Sequence, residues 1–421
     1  MLGVFILSYD YLYRVFLAPR YSYLGFAAES HDPYEFLFAC AASVLALFVL
    51  PTSMRRFSDY FLWFFFAVTF VPGVITVSRM GTLPNGGYGV ITLMFLSLLI
   101  MASITRLAPV QFLQAVGPRR FSNTNYLVLI SALSLLALIL VFGSIMSVST
   151  YDTLYDQRAR AAEAGGGRML GYLLNWTAYA FLPMLFAVGI IKKRIGLVAL
   201  GAIGFFIIFM INGAKIVFVS AFLIAGVRIL FSAALQRRPG RLMLIPVLPM
   251  LVVIAFLPLL HGGSSQFIDF IVAQVVMRAL AIQATMITIS AEFFANHPLT
   301  YMSNVSGVSY FVHYPYDRPL GFVIGTSIIG GDGFNANAGF LITDGIAAFG
   351  LAGMPMAAFL AALLLVFINM VSARTNLVFI CIALTPFCLA TANTSFLTAF
   401  VTGGGLVATI LASKLPASLQ A

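Results

Sequence analysis

Charge is what this chain has least of. Only 9% of its 421 residues are Asp, Glu, Lys or Arg, 61% are hydrophobic, and the mean hydropathy is +1.02. A soluble domain carries about 25% charged residues, so too little polar side chain is available here to cover a water-facing surface. A water-soluble globular protein is excluded. Lipid must be the solvent for most of the surface, and there only helices or closed barrels satisfy the backbone. Barrel strands show short stretches of alternating polarity, which are missing. The apolar runs are instead continuous and mostly 16–20 residues long, the length a spanning helix needs.

Other absences remove whole classes of chemistry. The three cysteines, Cys40, Cys381 and Cys388, all lie inside apolar runs, which gives neither a disulfide framework nor metal-ligand spacing. The polar segments hold no Asp-x-Asp pair, no His-Glu-x-x-His and no acids clustered as metal ligands. No Walker motif and no dinucleotide-binding glycine pattern occurs, so no metal or other cofactor is expected and a nucleotide-driven pump is excluded for this chain alone. No internal repeat, low-complexity tract or inverted pair of broken helices is evident. The net charge of +10 does not indicate nucleic acid, because a basic face with interleaved polar readers is absent.

What is present is a repeating order of apolar runs and basic clusters. Clear spans run over 35–51, 60–78, 88–104, 126–145, 172–191, 196–212, 216–235, 242–260, 351–371, 377–392 and 396–412. With Arg55-Arg56 placed inside, alternation puts Arg119-Arg120, Lys192-Lys193-Arg194, Arg237-Arg238 with Arg241, Arg374 and Lys414 inside as well, as the positive-inside tendency requires. Asp59 is the one clear acid on that side, and all four histidines (His31, His261, His297, His313) fall outside. The first residues, interrupted by Asp10 and Arg14, read as a short, imperfect first membrane helix rather than a cleavable signal. The expected fold is an all-α polytopic membrane protein of about 12 spans (11–13), forming one integral membrane domain over residues 1–421.

Two outer segments are long, 146–171 and 261–350. Connections of that length are usually functional. Within the second, residues 267–292 are apolar, yet Gln274, Arg278, Thr285 and Glu292 share one helical stripe. The stripe predicts an amphipathic helix lying at the outer interface and facing a cavity.

Candidate functional residues follow from this sidedness. Arg158, Arg160, Arg168, Lys215, Arg278 and Arg318 are cations on the translocated side, against the topology tendency. Arg168 and Arg318 read as solvated loop charges. Lys215, in the tight turn Asn212-Gly213-Ala214-Lys215, and Arg278, amid apolar residues, either snorkel to water or face a polar cavity. Such cations suit a lipid-linked phosphate or diphosphate. His313, within Tyr310-Phe311-Val312-His313-Tyr314-Pro315-Tyr316-Asp317, is a possible proton acceptor or an ordinary surface histidine. Tyr314 and Tyr316 are interfacial anchors or platforms for sugar rings. The stretch from Gly330 to Gly345 offers Asp332 as a second possible base, and Asn335, Asn337 and Asp344 as ligands for hydroxyl-rich molecules. The plainer reading of that stretch is a turn capping the next helix.

Four stretches resemble the bacterial O-antigen polymerases of the Wzy type, which are oligosaccharide repeat-unit polymerases. They are Tyr155-Asp156-Gln157-Arg158-Ala159-Arg160-Ala161 leading to Phe181-Leu182-Pro183, the Asn212–Lys215 turn, Val276-Met277-Arg278-Ala279-Leu280 with Glu292-Phe293-Phe294, and Asn335-Ala336-Asn337-Ala338-Gly339-Phe340 with Asp344 and Phe349–Gly353. With their connections these cover roughly a third of the chain. The resemblance implies a GT-C-like glycosyltransferase at the periplasmic face of the bacterial inner membrane. Such an enzyme moves a growing glycan from undecaprenyl diphosphate to the next lipid-linked repeat unit without a metal, and a chain-length regulator is an expected partner. It also implies that Arg158 or Arg160, Arg278 and Lys215 handle the diphosphate. The alternatives are an O-antigen ligase, a lipid-linked oligosaccharide flippase or secondary transporter, and a non-catalytic export partner.

Overall fold

The computed structural model describes all residues except 27–31, 82, 84–85, 108–123, 149–156, 158–159, 162, 165–166, 232, 261–272, 306–307, 331–334, 337–339 and 416–421. Within helices it also leaves out the side chains of 168, 215–216, 218–219, 233–234, 258–260, 274–275, 328–329 and 340–341. The described part is 81% helix with no strand. In chain order the helices are α1 (Leu2–Leu12), α2 (Pro33–Val49), α3 (Phe57–Met80), α4 (Tyr88–Leu107), α5 (Asn125–Ile145), α6 (Met169–Ile191), α7 (Ile195–Asn212) and α8 (Lys215–Leu230). They continue with α9 (Leu244–Leu260), α10 (Val276–Asn296), α11 (Leu320–Ile329), α12 (Phe340–Phe349), α13 (Gly353–Val371), α14 (Leu377–Asn393) and α15 (Phe396–Ser413). Among the described residues nine helices are long and apolar enough to cross a membrane, and α2, α14 and a stretch of α8 are shorter apolar helices. Each of the eleven apolar runs read as spans coincides with a helix, as expected of a polytopic membrane protein.

Burial separates a central helix from the periphery. The most apolar window of α3 is wholly buried, whereas those of α5 and α7 are only 28% buried. Leu129, Leu133, Leu136 and Leu140 of α5 and Ile203 and Phe206 of α7 point away from the bundle, an apolar exterior suited to lipid tails. Three helices widen into a π turn two residues before a proline: Tyr13–Leu17 before Pro19, Phe66–Phe70 before Pro72 and Thr177–Phe181 before Pro183. Proline offers no N–H and crowds the carbonyl one turn back, and the wider turn relieves both problems.

Hydrogen bonds sort the helix ends into two groups. At one end Arg56 Nη1 donates to Thr105 O (2.8 Å), Met54 N to Gln236 O (2.9 Å), Tyr126 OH to Leu411 O (3.1 Å) and Thr375 Oγ1 to Ala412 O (3.3 Å). These contacts gather Arg55-Arg56, Arg237-Arg238, Arg374 and Lys414 at that basic end. Asp59, the odd acid there, accepts the backbone N–H of Arg55 and Arg56 (2.8 and 2.9 Å) and so caps α3. Arg119-Arg120 lie outside the described residues.

The expectation for 267–292 is the one that differs most. From Val276 onward the segment is α10, which is long and apolar enough to span, and 83% of its most apolar window is buried against α3, α11 and α12. Its polar side chains do not form a stripe toward one cavity: Thr285 is fully buried and donates to Ala281 O (3.0 Å), Gln283 Nε2 donates to Ala279 O (3.0 Å), and Arg278 is exposed. Polar groups bonded to their own helix can enter an apolar bundle at little cost. The segment 261–350, read as a loop, therefore contains three helices. The segment 146–171 is described only in part.

Candidate functional site

At the end of the bundle opposite the basic clusters, four polar arrangements stand out. The first is built on Gln157, which is 2% exposed. Its Oε1 accepts from Ser147 Oγ (2.8 Å), and its Nε2 lies 2.8, 2.9 and 3.0 Å from the carbonyls of Ile145, Met210 and Ile211. One amide thus caps the C-terminal ends of α5 and α7 together. It also seats Gln157 beside the last turn of α7, which leads into the Asn212–Lys215 turn. In that turn Asn212 Oδ1 accepts from Ala214 N (2.9 Å), and Gly213 takes φ +61°, a left-handed conformation that glycine adopts without a side-chain clash. Lys215 is the first residue of α8.

The second arrangement surrounds Asp344 on α12. A small pocket with room for about a single water-sized group is lined by Met302, Asn304, Val305, Asp344, Ser395 and Leu397, together with Ala357 and Leu360 of α13. Asp344 Oδ2 accepts the Phe396 N–H (3.0 Å), the Ser395 hydroxyl lies beside it, and no cation pairs with it among the described residues. Burial pushes its carboxyl up to about 6, against which the Ser395 hydroxyl and the Phe396 N–H pull down. The pocket's other wall is a tight turn. Thr300 N and Tyr301 N donate to Ala347 O and Ala348 O (2.8 and 3.2 Å), and Ser303 N donates to Thr300 O (2.8 Å). Tyr301 and Met302 both have left-handed φ, +48° and +65°. Such strain costs about 1–3 kcal/mol per residue and persists where the surroundings enforce it, commonly at functional sites. Asn304 Oδ1 lies 3.2 Å from Thr300 Oγ1, whose hydroxyl also lies 3.0 Å from Ala347 O.

Helix packing links these two arrangements. Helix α8, beginning at Lys215, packs along α14, and α12 packs on α14 and α15. α14 is thus a neighbour of both α8 and α12.

The third arrangement is aromatic. His297 stacks on Phe293 with centroids 3.9 Å apart, its Nδ1 is 2.8 Å from Phe293 O, and Tyr316 leans on the same ring at 6.0 Å. Tyr314 OH donates to Arg318 O (2.9 Å) and Tyr316 OH to Pro298 O (2.5 Å). Burial raises both phenols, Tyr314 to about 12, so both remain protonated donors.

The fourth arrangement joins the N-terminal helix to α3. Asp10, 3% exposed, lies 2.7 Å from Arg79 Nε and 2.9 Å from Arg14 Nη2, and the Arg79 guanidinium sits 4.0 Å over the Phe36 ring. Tyr9 OH is 2.7 Å from Thr76 Oγ1. Of the two charges that interrupt the first apolar run, Asp10 is thus internally paired with Arg79, while Arg14 reaches it from an exposed position.

Of the residues marked by sequence, the structure bonds Gln157 to the end of α7 that leads into the Lys215 turn and sets Asp344, half-buried, at a small pocket. Arg160 and His313 are exposed, Asn335 is exposed on the loop between α11 and α12, and Tyr314 and Tyr316 join the His297 cluster. Arg278 does not join them: it lies 18 residues, or roughly 25 Å of helix at about 1.5 Å per residue, before the end of α10 that reaches the Asp344 region. Arg158, Asp332 and Asn337 lie outside the described residues. Sequence reading missed Asn304, Ser395 and the roles of Gln157 and Asp10. For Asp10 the signal was a carboxylate inside an apolar run, which calls for a partner. Among the described residues no three His, Cys, Asp or Glu side chains gather as metal ligands. No family model, curated protein or solved structure matches the chain.

Proposed function

We propose that the chain is a glycosyltransferase of the O-antigen polymerase kind. In this reading it sits in the bacterial inner membrane, acts at the periplasmic face, and joins undecaprenyl-diphosphate-linked oligosaccharides into a surface polysaccharide. The observation that carries the reading is the Gln157 clasp on the carbonyls of Met210 and Ile211, just before the turn that leads to Lys215, at the end remote from the basic clusters. A cation in the first turn of a helix opposes the helix dipole. A bound diphosphate reverses that cost, because the helix end and Lys215 then both face an anion. As the glycosyl–phosphate bond breaks, charge builds on the leaving diphosphate, and fixed cations stabilise it. Loss of one such donor typically costs about 10²–10³ in rate.

The test is extension of lipid-diphosphate-linked repeat units, extracted from a strain lacking the gene, by the purified protein in proteoliposomes. Longer glycans on the lipid are expected, with Lys215→Ala about 100-fold slower. Transfer only to lipid A core would identify a ligase, and no transfer to either acceptor would overturn the reading.

A further inference from the structure

We propose that Asp344 takes the proton from the acceptor sugar's hydroxyl, which enters the small pocket between Asp344, Asn304 and Ser395. The proposal rests on the glycosyl-transfer reading above. In the step, the acceptor oxygen bonds to the anomeric carbon of the donor glycan while the carbon–oxygen bond to the lipid diphosphate breaks. The bonding pair leaves on the diphosphate oxygen, and the hydroxyl proton passes to the Asp344 carboxylate and then to water.

Geometry selects this group. The pocket holds one water-sized group, which matches a hydroxyl and not a sugar ring, and among the described residues Asp344 is the only carboxylate lining it. One carboxylate oxygen is held by the Phe396 N–H, and the Asn304 amide lines the same space. A neutral donor and an anionic acceptor on opposite walls bind and orient a hydroxyl, which both donates and accepts. The wall carrying Asn304 is the strained Tyr301–Met302 turn, clamped to the end of α12 by two backbone bonds, so both walls move with the helix that bears the base.

The surroundings tune the group for this role. The elements packed against α12 bring Glu292 and His297 from α10, Cys381 and Cys388 from α14, and Tyr301 from the turn. None of them contributes to the shift of Asp344, whose causes are burial, Ser395 and Phe396. α13 and α15 carry no ionisable side chain. A carboxyl raised to about 6 is ionised at neutral pH and a better proton acceptor than a solvated aspartate.

The experiment follows extension of the extracted repeat units across pH 4.5–8.5 by wild type, Asp344→Asn and Asp344→Glu, with binding of the lipid-diphosphate donor measured in parallel. Wild type should lose turnover on acidification with an apparent pKa near 6. Asp344→Asn should bind donor normally, turn over at least about 100-fold more slowly and lose the acidic limb. Asp344→Glu should recover part of the rate with a displaced limb. Near-normal turnover by Asp344→Asn, or a wild-type profile flat from 4.5 to 7, would overturn the assignment while leaving the glycosyl-transfer reading intact. Should Asp344→Asn fail to fold, the wild-type limb and its displacement in Asp344→Glu decide. A wild type inert toward both acceptors overturns the assignment and the reading together.

Discussion

Asp10 is a buried carboxylate and Asp344 a half-buried one, both at the end away from the basic clusters, and their partners make them opposites. Asp10 lies between Arg79 and Arg14 and joins the N-terminal helix to the central helix α3. Asp344 has a backbone N–H, a hydroxyl and an open pocket, but no cation among the described residues. A charge compensated on two sides is a structural joint. A charge that is enclosed and uncompensated is costly, and its retention is explained by a ligand or a proton. The contrast shows that burial of an acid in a membrane bundle does not by itself mark a site. The missing counter-charge does.

The largest effect should come from breaking the joint. Asp10→Ala leaves Arg79, 15% exposed at its side chain, without its carboxylate, which costs about 3–5 kcal/mol for a buried pair. The detergent-purified variant should melt well below wild type, and pairing it with Arg79→Met should restore most of the loss. If the single variant melts normally, Asp10 is no joint. Asp344→Asn should reverse the pattern, with near-normal melting and a turnover loss of at least about 100-fold, equivalent to about 2.7 kcal/mol at the transition state. Gln157→Leu removes a buried amide from three carbonyls and should cost about 1–3 kcal/mol. Hydrogen exchange should quicken at Ser147, whose N–H bonds Met210 O, and turnover should fall because the end of α7 that leads to Lys215 is no longer clasped. Unchanged exchange there would detach the clasp from the site.

The smallest effects are pH slopes of opposite sign. Asp32 accepts from Tyr88 OH and Tyr34 N, which hold its carboxyl below the ordinary 3.8. Its contribution is present above 3.8 and is lost as pH falls through the depressed value. Asp344, raised to about 6, has the reverse linkage: acidification from 7 toward 4 should raise the melting midpoint slightly, until the Asp32 contribution fails below that. Asp344→Asn should weaken the rise, and Asp32→Asn the fall.

Much of the architecture was legible because apolar runs of spanning length and short basic clusters are local features that need no knowledge of contacts. The first helix was legible as short and imperfect, but the partner of Asp10 was not, because Arg79 lies 69 residues away. α10 was misplaced because a helical wheel counts Thr285 as polar, although its hydroxyl is spent on its own backbone. In the candidate site, Asp344, Lys215 and the Arg158–Arg160 segment could be nominated one by one. Their grouping depends on which helices pack on α14, and Asn304 and Ser395 carry no local pattern that distinguishes them from other loop residues.

The widened turn at Phe66–Phe70 has a further consequence for α3. A π turn amounts to one residue inserted into an α-helix, and each residue turns the helix by about 100°. Everything after it, including Thr76 and Arg79, is thereby rotated about a quarter of the way round relative to Phe57–Phe65. Deleting one residue from Phe66–Phe70 would keep the composition and apolar length of α3 almost unchanged, yet swing Arg79 off Asp10 and Thr76 off Tyr9. The docking of the N-terminal helix is thus set by angular phase, a quantity that hydropathy does not measure.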